Sequence, residues 1–219
     1  MQNEFYFISG SAQKLVTTTS LIATIYLINK RKIPKLYIIF PVYSIASGFF
    51  DLLVFIISTY GDKLKSDNGQ FQINTFTAFE FFLFTYYLNA IIKSKTAQLY
   101  SLIAIGVFTA VLIYTMRYLG LHELFTHIIV IENILLSIFC GLFYLKLFAE
   151  MVMINPAKKA DFWIVTGMLF YFTITTPYYF FFRNLSINSQ QFLYVINAIG
   201  NICMHLLIIR GFLCFQAKK

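Results

Sequence analysis

Asp51, Glu80 and Glu132 are the carboxylates inside the seven long apolar segments of this 219-residue chain. A charged side chain in hydrocarbon costs several kcal/mol unless it is paired, neutralised or turned toward a water-filled cavity. Each is therefore a candidate to hold a polar ligand or to carry a proton. Asn133 adjoins Glu132, and His127 lies about a turn before it. Asn197, Asn201 and His205 follow at steps of four, which puts them on one face of a helix. Tyr178 and Tyr179 come directly after Pro177, where the missing N–H frees a carbonyl and a kink is expected. Three carboxylates close together in a low dielectric cannot all be ionised, so at least one is expected to keep its proton.

The elements that must position these groups are membrane spans. Charged residues make up only 12% of the chain, against about 25% in a soluble domain. A span needs about 20 mostly apolar residues. Seven segments meet that need, at 12–29, 36–60, 73–92, 99–119, 125–148, 162–182 and 192–215. The first carries Lys14 and Thr17-Thr18-Thr19-Ser20; its lysine can snorkel and its hydroxyls can bond back to the helix. The longest loop runs from Gly61 to Gln72, leaving no room for a soluble domain. The expected architecture is an all-α bundle of seven transmembrane helices forming a single domain, 1–219. Met1 to Ser11 lack the pattern of a cleaved signal.

Orientation follows from Lys and Arg. With the N-terminus outside, twelve lie at the inner side and five at the outer side, and the bias is strongest in the first loop, at Lys30, Arg31, Lys32 and Lys35. The net charge of +8 is thereby a matter of membrane topology, and nucleic acid is not an expected partner. At 1.5 Å per residue, Asp51, Glu80 and Glu132 all fall roughly 10–12 Å below the outer surface. One shared cavity open to the outside accounts for three acids at one depth. The ligand-binding residues expected are Asp51, Glu80, Glu132, Asn133, Asn197, Asn201 and Tyr178, with Arg117 and Arg183 as available counter-charges. Trp163 is expected at the inner interface, beside Lys158, Lys159 and Asp161, where an indole prefers to lie.

Several chemistries fit poorly. A retinal pigment needs a lysine in the middle of helix seven for its Schiff base; Asn201 and Cys203 stand there instead. An intramembrane hydrolase needs about three histidines on a metal, and only His127 and His205 lie within spans. Cys140, Cys203 and Cys214 lack metal-ligand spacing and read as packing residues. No metal, cofactor or catalytic residue is expected. A proton-coupled transporter is the main alternative, since intramembrane acids and the prolines Pro41 and Pro177 suit one. Segments 1–3 and 5–7 show no sequence repeat, however.

Glu80 with Tyr86-Tyr87, Ile131-Glu132-Asn133, Phe162-Trp163-Ile164-Val165-Thr166-Gly167 running into Leu169-Phe170-Tyr171-Phe172, and Ile196-Asn197 followed by Asn201 resemble a family of small bacterial seven-helix membrane proteins. That family is associated with sensor histidine kinases, either as their membrane module or as stand-alone proteins. The resemblance implies a seven-helix fold and a sensory or accessory role, and singles out Glu80, Glu132, Trp163 and Asn197; the expected location is the bacterial inner membrane. Unlike the fused members, the sequence holds no kinase after helix seven. Signalling is thus expected to run from an extracytoplasmic ligand to a separate cytoplasmic partner, such as a kinase.

Overall fold

A computed structural model of the chain describes residues 2–64, 70–119, 125–149, 155–181, 184 and 186–215. Within them, the side chains of 2–11, 51, 54–55, 57–64, 70, 119 and 187–194 lie outside the described residues. Seven α-helices are present among the described residues: α1 Gln2–Lys30, α2 Ile39–Leu64, α3 Gln70–Ile92, α4 Lys95–Leu119, α5 Thr126–Ala149, α6 Ala160–Phe181 and α7 Ile187–Leu213. Among the described residues four stretches are long and apolar enough to cross a membrane: Phe71–Ile92, Lys95–Tyr118, Thr126–Ala149 and Val195–Leu213. The protein is an all-helical one whose composition and helix lengths suit a bilayer.

Helix ends depart from the apolar stretches in an instructive way. The expected loop from Gly61 to Gln72 is shorter, because α2 continues to Leu64 and α3 already starts at Gln70. Apolar length marks where a helix needs lipid, whereas the helix ends where its hydrogen bonds do. Pro177 lies inside α6, which runs on through it to Phe181. The turn between α3 and α4 is only two residues long, Lys93 and Ser94. Lys93 takes a positive φ of 50° just past α3, a place where glycine is commoner. Ser94 then caps α4, its Oγ accepting from the Ala97 N–H at 3.0 Å.

Helix packing closes a ring. α1 packs on α2, α2 on α3, α3 on α5, α5 on α6, α6 on α7, and α7 back on α1. α4 stands outside, against α3 and α5, with only 22% of its most apolar window buried. One seam of the ring is very close. A Cβ placed on Gly211 of α7 would sit 2.9 Å from the Ala160 carbonyl oxygen of α6. One placed on Gly167 of α6 would sit 3.1 Å from the Met204 carbonyl oxygen of α7. Small residues let helix backbones approach where lipid gives no hydrophobic drive between helices.

The end of the bundle where α1 stops is tied together by polar bonds. Arg31 donates to the carbonyl of Leu213 at 2.7 Å and also to that of Phe215, at the terminus of α7. Lys146, near the end of α5, donates to the carbonyl of Ile92, the last residue of α3. Both cations satisfy carbonyls that a helix C-terminus leaves unpaired. At the same end Asp161 Oδ1 accepts from the Tyr37 hydroxyl at 2.6 Å and the Tyr87 hydroxyl at 2.8 Å. Around these, the rings of Tyr37, Phe40, Tyr87 and Phe212 meet edge to face at centroid separations of 5.0 to 6.1 Å.

Candidate functional site

A cavity of about 230 Å³ occupies the middle of the ring. Every ring helix contributes: Gln13 from α1, Tyr43 and Ser47 from α2, Glu80 from α3, Glu132 and Asn133 from α5, Tyr171 from α6, Asn197 and Asn201 from α7. α4 contributes nothing to its described lining. Glu80 comes ten residues after the start of α3, and Asn197 ten after the start of α7. The cavity therefore lies in the half of the bundle away from the Tyr37–Asp161 junction.

Glu80 is held in place from α2, where the Tyr43 hydroxyl donates to Oε1 at 2.9 Å. The Tyr43 ring stacks on that of His205, with centroids 6.1 Å apart and planes at 25°. His205 in turn shares a 3.1 Å hydrogen bond between Nδ1 and Ser20 Oγ on α1. A continuous path of contacts thus joins α1, α7, α2 and α3. On the opposite side, Asn133 Nδ2 donates to Thr175 Oγ1 at 3.0 Å, joining α5 to α6. These bonds fix the helices around the cavity but leave part of its lining unsatisfied. Glu132 is 1% exposed, Asn197 8% and Asn201 7%. Glu132 Oε1, Asn197 Oδ1, Asn201 Oδ1 and Gln13 Oε1 are buried with no hydrogen-bond partner among the described residues. A buried polar atom without a partner costs about 1–3 kcal/mol. A group that supplied hydrogen bonds there would recover it.

Five of the seven residues expected from sequence meet at this cavity: Glu80, Glu132, Asn133, Asn197 and Asn201. Asp51 belongs to α2, but its side chain lies outside the described residues. Tyr178 is buried without lining the cavity, and its neighbour Tyr179 lines it instead, since adjacent helical residues point about 100° apart. Arg117 is exposed near the end of α4 and does not line the cavity, and Arg183 lies outside the described residues. His127 pairs with Thr115 at 2.9 Å, tying α5 to α4 away from the cavity lining. Gln13, Tyr43 and Tyr171 are lining residues that the sequence did not single out. The one signal of Tyr43 and Tyr171 is a hydroxyl deep in an apolar segment, and Gln13 lies at the edge of the first segment, where a polar residue is ordinary.

Among the described residues no group of three or more His, Cys, Asp or Glu is placed to hold a metal ion. Cys140, Cys203 and Cys214 are free. No protein-family model, curated protein or solved structure matches this chain.

Proposed function

We propose that the chain is a seven-span protein of the bacterial inner membrane, with its N-terminus outside and its C-terminus inside. It binds a small polar ligand in the ring cavity and relays occupancy to a cytoplasmic partner such as a kinase. The unpartnered buried oxygens of Glu132, Asn197 and Asn201 carry this reading, because each has a stake in a ligand being there. Two further features favour relay over passage. Below the cavity, Phe40, Tyr87 and Phe212 are fully buried and pack edge to face, putting an aromatic layer between the cavity and the far end. α6 also reaches both ends, with Tyr171 and Thr175 at the cavity level and Asp161 and Trp163 at the far end.

Trp163 makes the relay measurable, since it is the one tryptophan of the chain. Its Nε1 donates to the Ala157 carbonyl at 2.8 Å, and the Arg210 guanidinium lies 5.3 Å from its ring centroid. Its Cα is about 12 Å along α6 from that of Tyr171. In a screen of polar metabolites against the purified chain, compounds that raise the melting midpoint are expected to shift Trp163 emission. Both effects are expected to vanish in Asn201→Leu. Stabilising compounds that leave Trp163 emission unmoved would defeat the relay.

Orientation is open to a separate check. A fluorescent protein fused after Lys219 is expected to fold and fluoresce, and alkaline phosphatase at the same place to be inactive. The opposite pair of results would reverse the proposed topology, whose support is the twelve-to-five bias of basic residues.

A further inference from the structure

The cavity has more to say about its ligand than that it is polar. Two carboxylates, Glu80 and Glu132, line it, and no Lys or Arg appears among its described lining residues. Its unpartnered atoms, on Gln13, Glu132, Asn197 and Asn201, are all acceptor oxygens. An amide can turn to present its nitrogen, so the three amides adapt to a ligand. A carboxyl group can donate only by keeping a proton, and where one of Glu80 and Glu132 keeps it the other still makes the site negative. Glu80 already accepts the Tyr43 hydroxyl, which fixes its orientation. Glu132, at 1% exposure, has an oxygen that accepts nothing among the described residues.

Aromatic rings make up much of the remaining wall: Tyr43, Phe50, Phe76, Tyr171 and Tyr179. Ring faces attract a positive charge, more so where water is excluded, and an alkyl group packs on them equally well. Size narrows the class further. A volume of about 230 Å³ is that of about eight liquid waters, far more than a bare metal ion fills. It matches an organic molecule of a few carbons. The carboxylates reject anions of that size, and the acceptor surplus asks for several N–H donors.

We infer that the cavity is a site for a small organic ammonium ion, its nitrogen at Glu132 and Glu80 and its carbons against the aromatic wall. This assignment rests on the proposed ligand-binding role of the cavity and names the chemical class that fills it.

The test uses the full chain in mild detergent, with calorimetry and thermal shift at matched ionic strength. The probes are n-butylammonium chloride, tetramethylammonium chloride, sodium chloride and the neutral isostere 1-butanol. n-Butylammonium is expected to bind about tenfold or more tighter than 1-butanol, the margin of a charge-assisted hydrogen bond. Glu132→Gln is expected to weaken it about tenfold or more, and Phe76→Leu about fivefold. The comparison of amine with alcohol needs only the native chain, so it decides the matter even where a variant does not fold. Equal affinity for 1-butanol and n-butylammonium overturns the assignment. So does sodium binding as well as the amine and displacing it. Binding of 1-butanol alone, lost in Asn201→Leu, overturns the ammonium class and leaves the cavity as a ligand site. Amine binding with no change in Trp163 emission supports the class and defeats only the relay. No binding of any probe overturns the assignment outright.

Discussion

Replacement of Asp161 by Ala is expected to destabilise the protein by about 3 kcal/mol, because one oxygen serves two tyrosines. Asp161 Oδ1 accepts from Tyr37 at 2.6 Å and from Tyr87 at 2.8 Å, and both tyrosines are buried. Alanine would strand both hydroxyls where little water can reach them, at about 1–3 kcal/mol each. It would also remove an acid from the first turn of α6, where the helix dipole favours negative charge. Asn keeps an acceptor oxygen at this position and is expected to lose about half as much. The measurement is unfolding of the purified chain in mixed micelles, read by Trp163 emission. Combining Asp161→Ala with Tyr87→Phe removes one donor along with the acceptor, so the double variant is expected to lose about 1–2 kcal/mol less than the sum of the single changes. Additive losses, or an Asp161→Ala protein within about 0.5 kcal/mol of the original, would mean the junction does not hold this end together.

Gly211→Leu is expected to have a comparable effect by the opposite route, overpacking instead of loss. A Cβ at this position would already meet Ile164 Cγ1 at 2.7 Å and the Ala160 carbonyl oxygen at 2.9 Å. The isoleucine side chain can rotate aside, but the carbonyl belongs to the first residue of α6 and can move only with the helix. Leucine is therefore expected to cost about 3 kcal/mol, and alanine about 1. The displacement should also part Arg210 from Trp163 and change the emission of the folded protein, which a loss of stability alone would not do. Leucine at Gly106 is the control: nothing lies within 4 Å of a Cβ there, and no measurable loss is expected. Equal losses at the two glycines would refute the close seam between α6 and α7.

The chemistry of single residues explains what could be read from the sequence. Glu80 and Glu132 stand out because a carboxylate amid apolar residues has few reasons to exist. Helix periodicity put Asn197 and Asn201 on one face, and depth put the acids on one level. Those inferences need only a rise per residue and a sense of direction. Tyr43 escaped notice because its ring looks like any other in a chain with 26 Phe and 15 Tyr, and only its hydroxyl, aimed at Glu80, distinguishes it. Choosing Tyr179 over Tyr178 requires the rotation of α6, which its neighbours set and its own sequence does not. Asp161 reads as an ordinary interfacial acid until Tyr37 and Tyr87, 124 and 74 residues away in the chain, arrive beside it. Partners that distant are a property of the ring order, which no local pattern encodes.

The position of α4 outside the ring has a consequence for the course of the chain. The Arg31 bonds place the ends of α1 and α7 together, and the Lys146 bond does the same for α5 and α3. Each neighbouring pair, α1 with α7 and α3 with α5, thus runs in the same direction. A ring with two such parallel seams divides into the triplets α1–α2–α3 and α5–α6–α7, which share one orientation. Three helices end on the side opposite to where they began, so a second triplet of the same orientation can follow only after one extra crossing. α4 is that crossing. Two triplets of one orientation joined by a return helix give an odd number of helices, so the chain enters α1 and leaves α7 at opposite ends of the bundle.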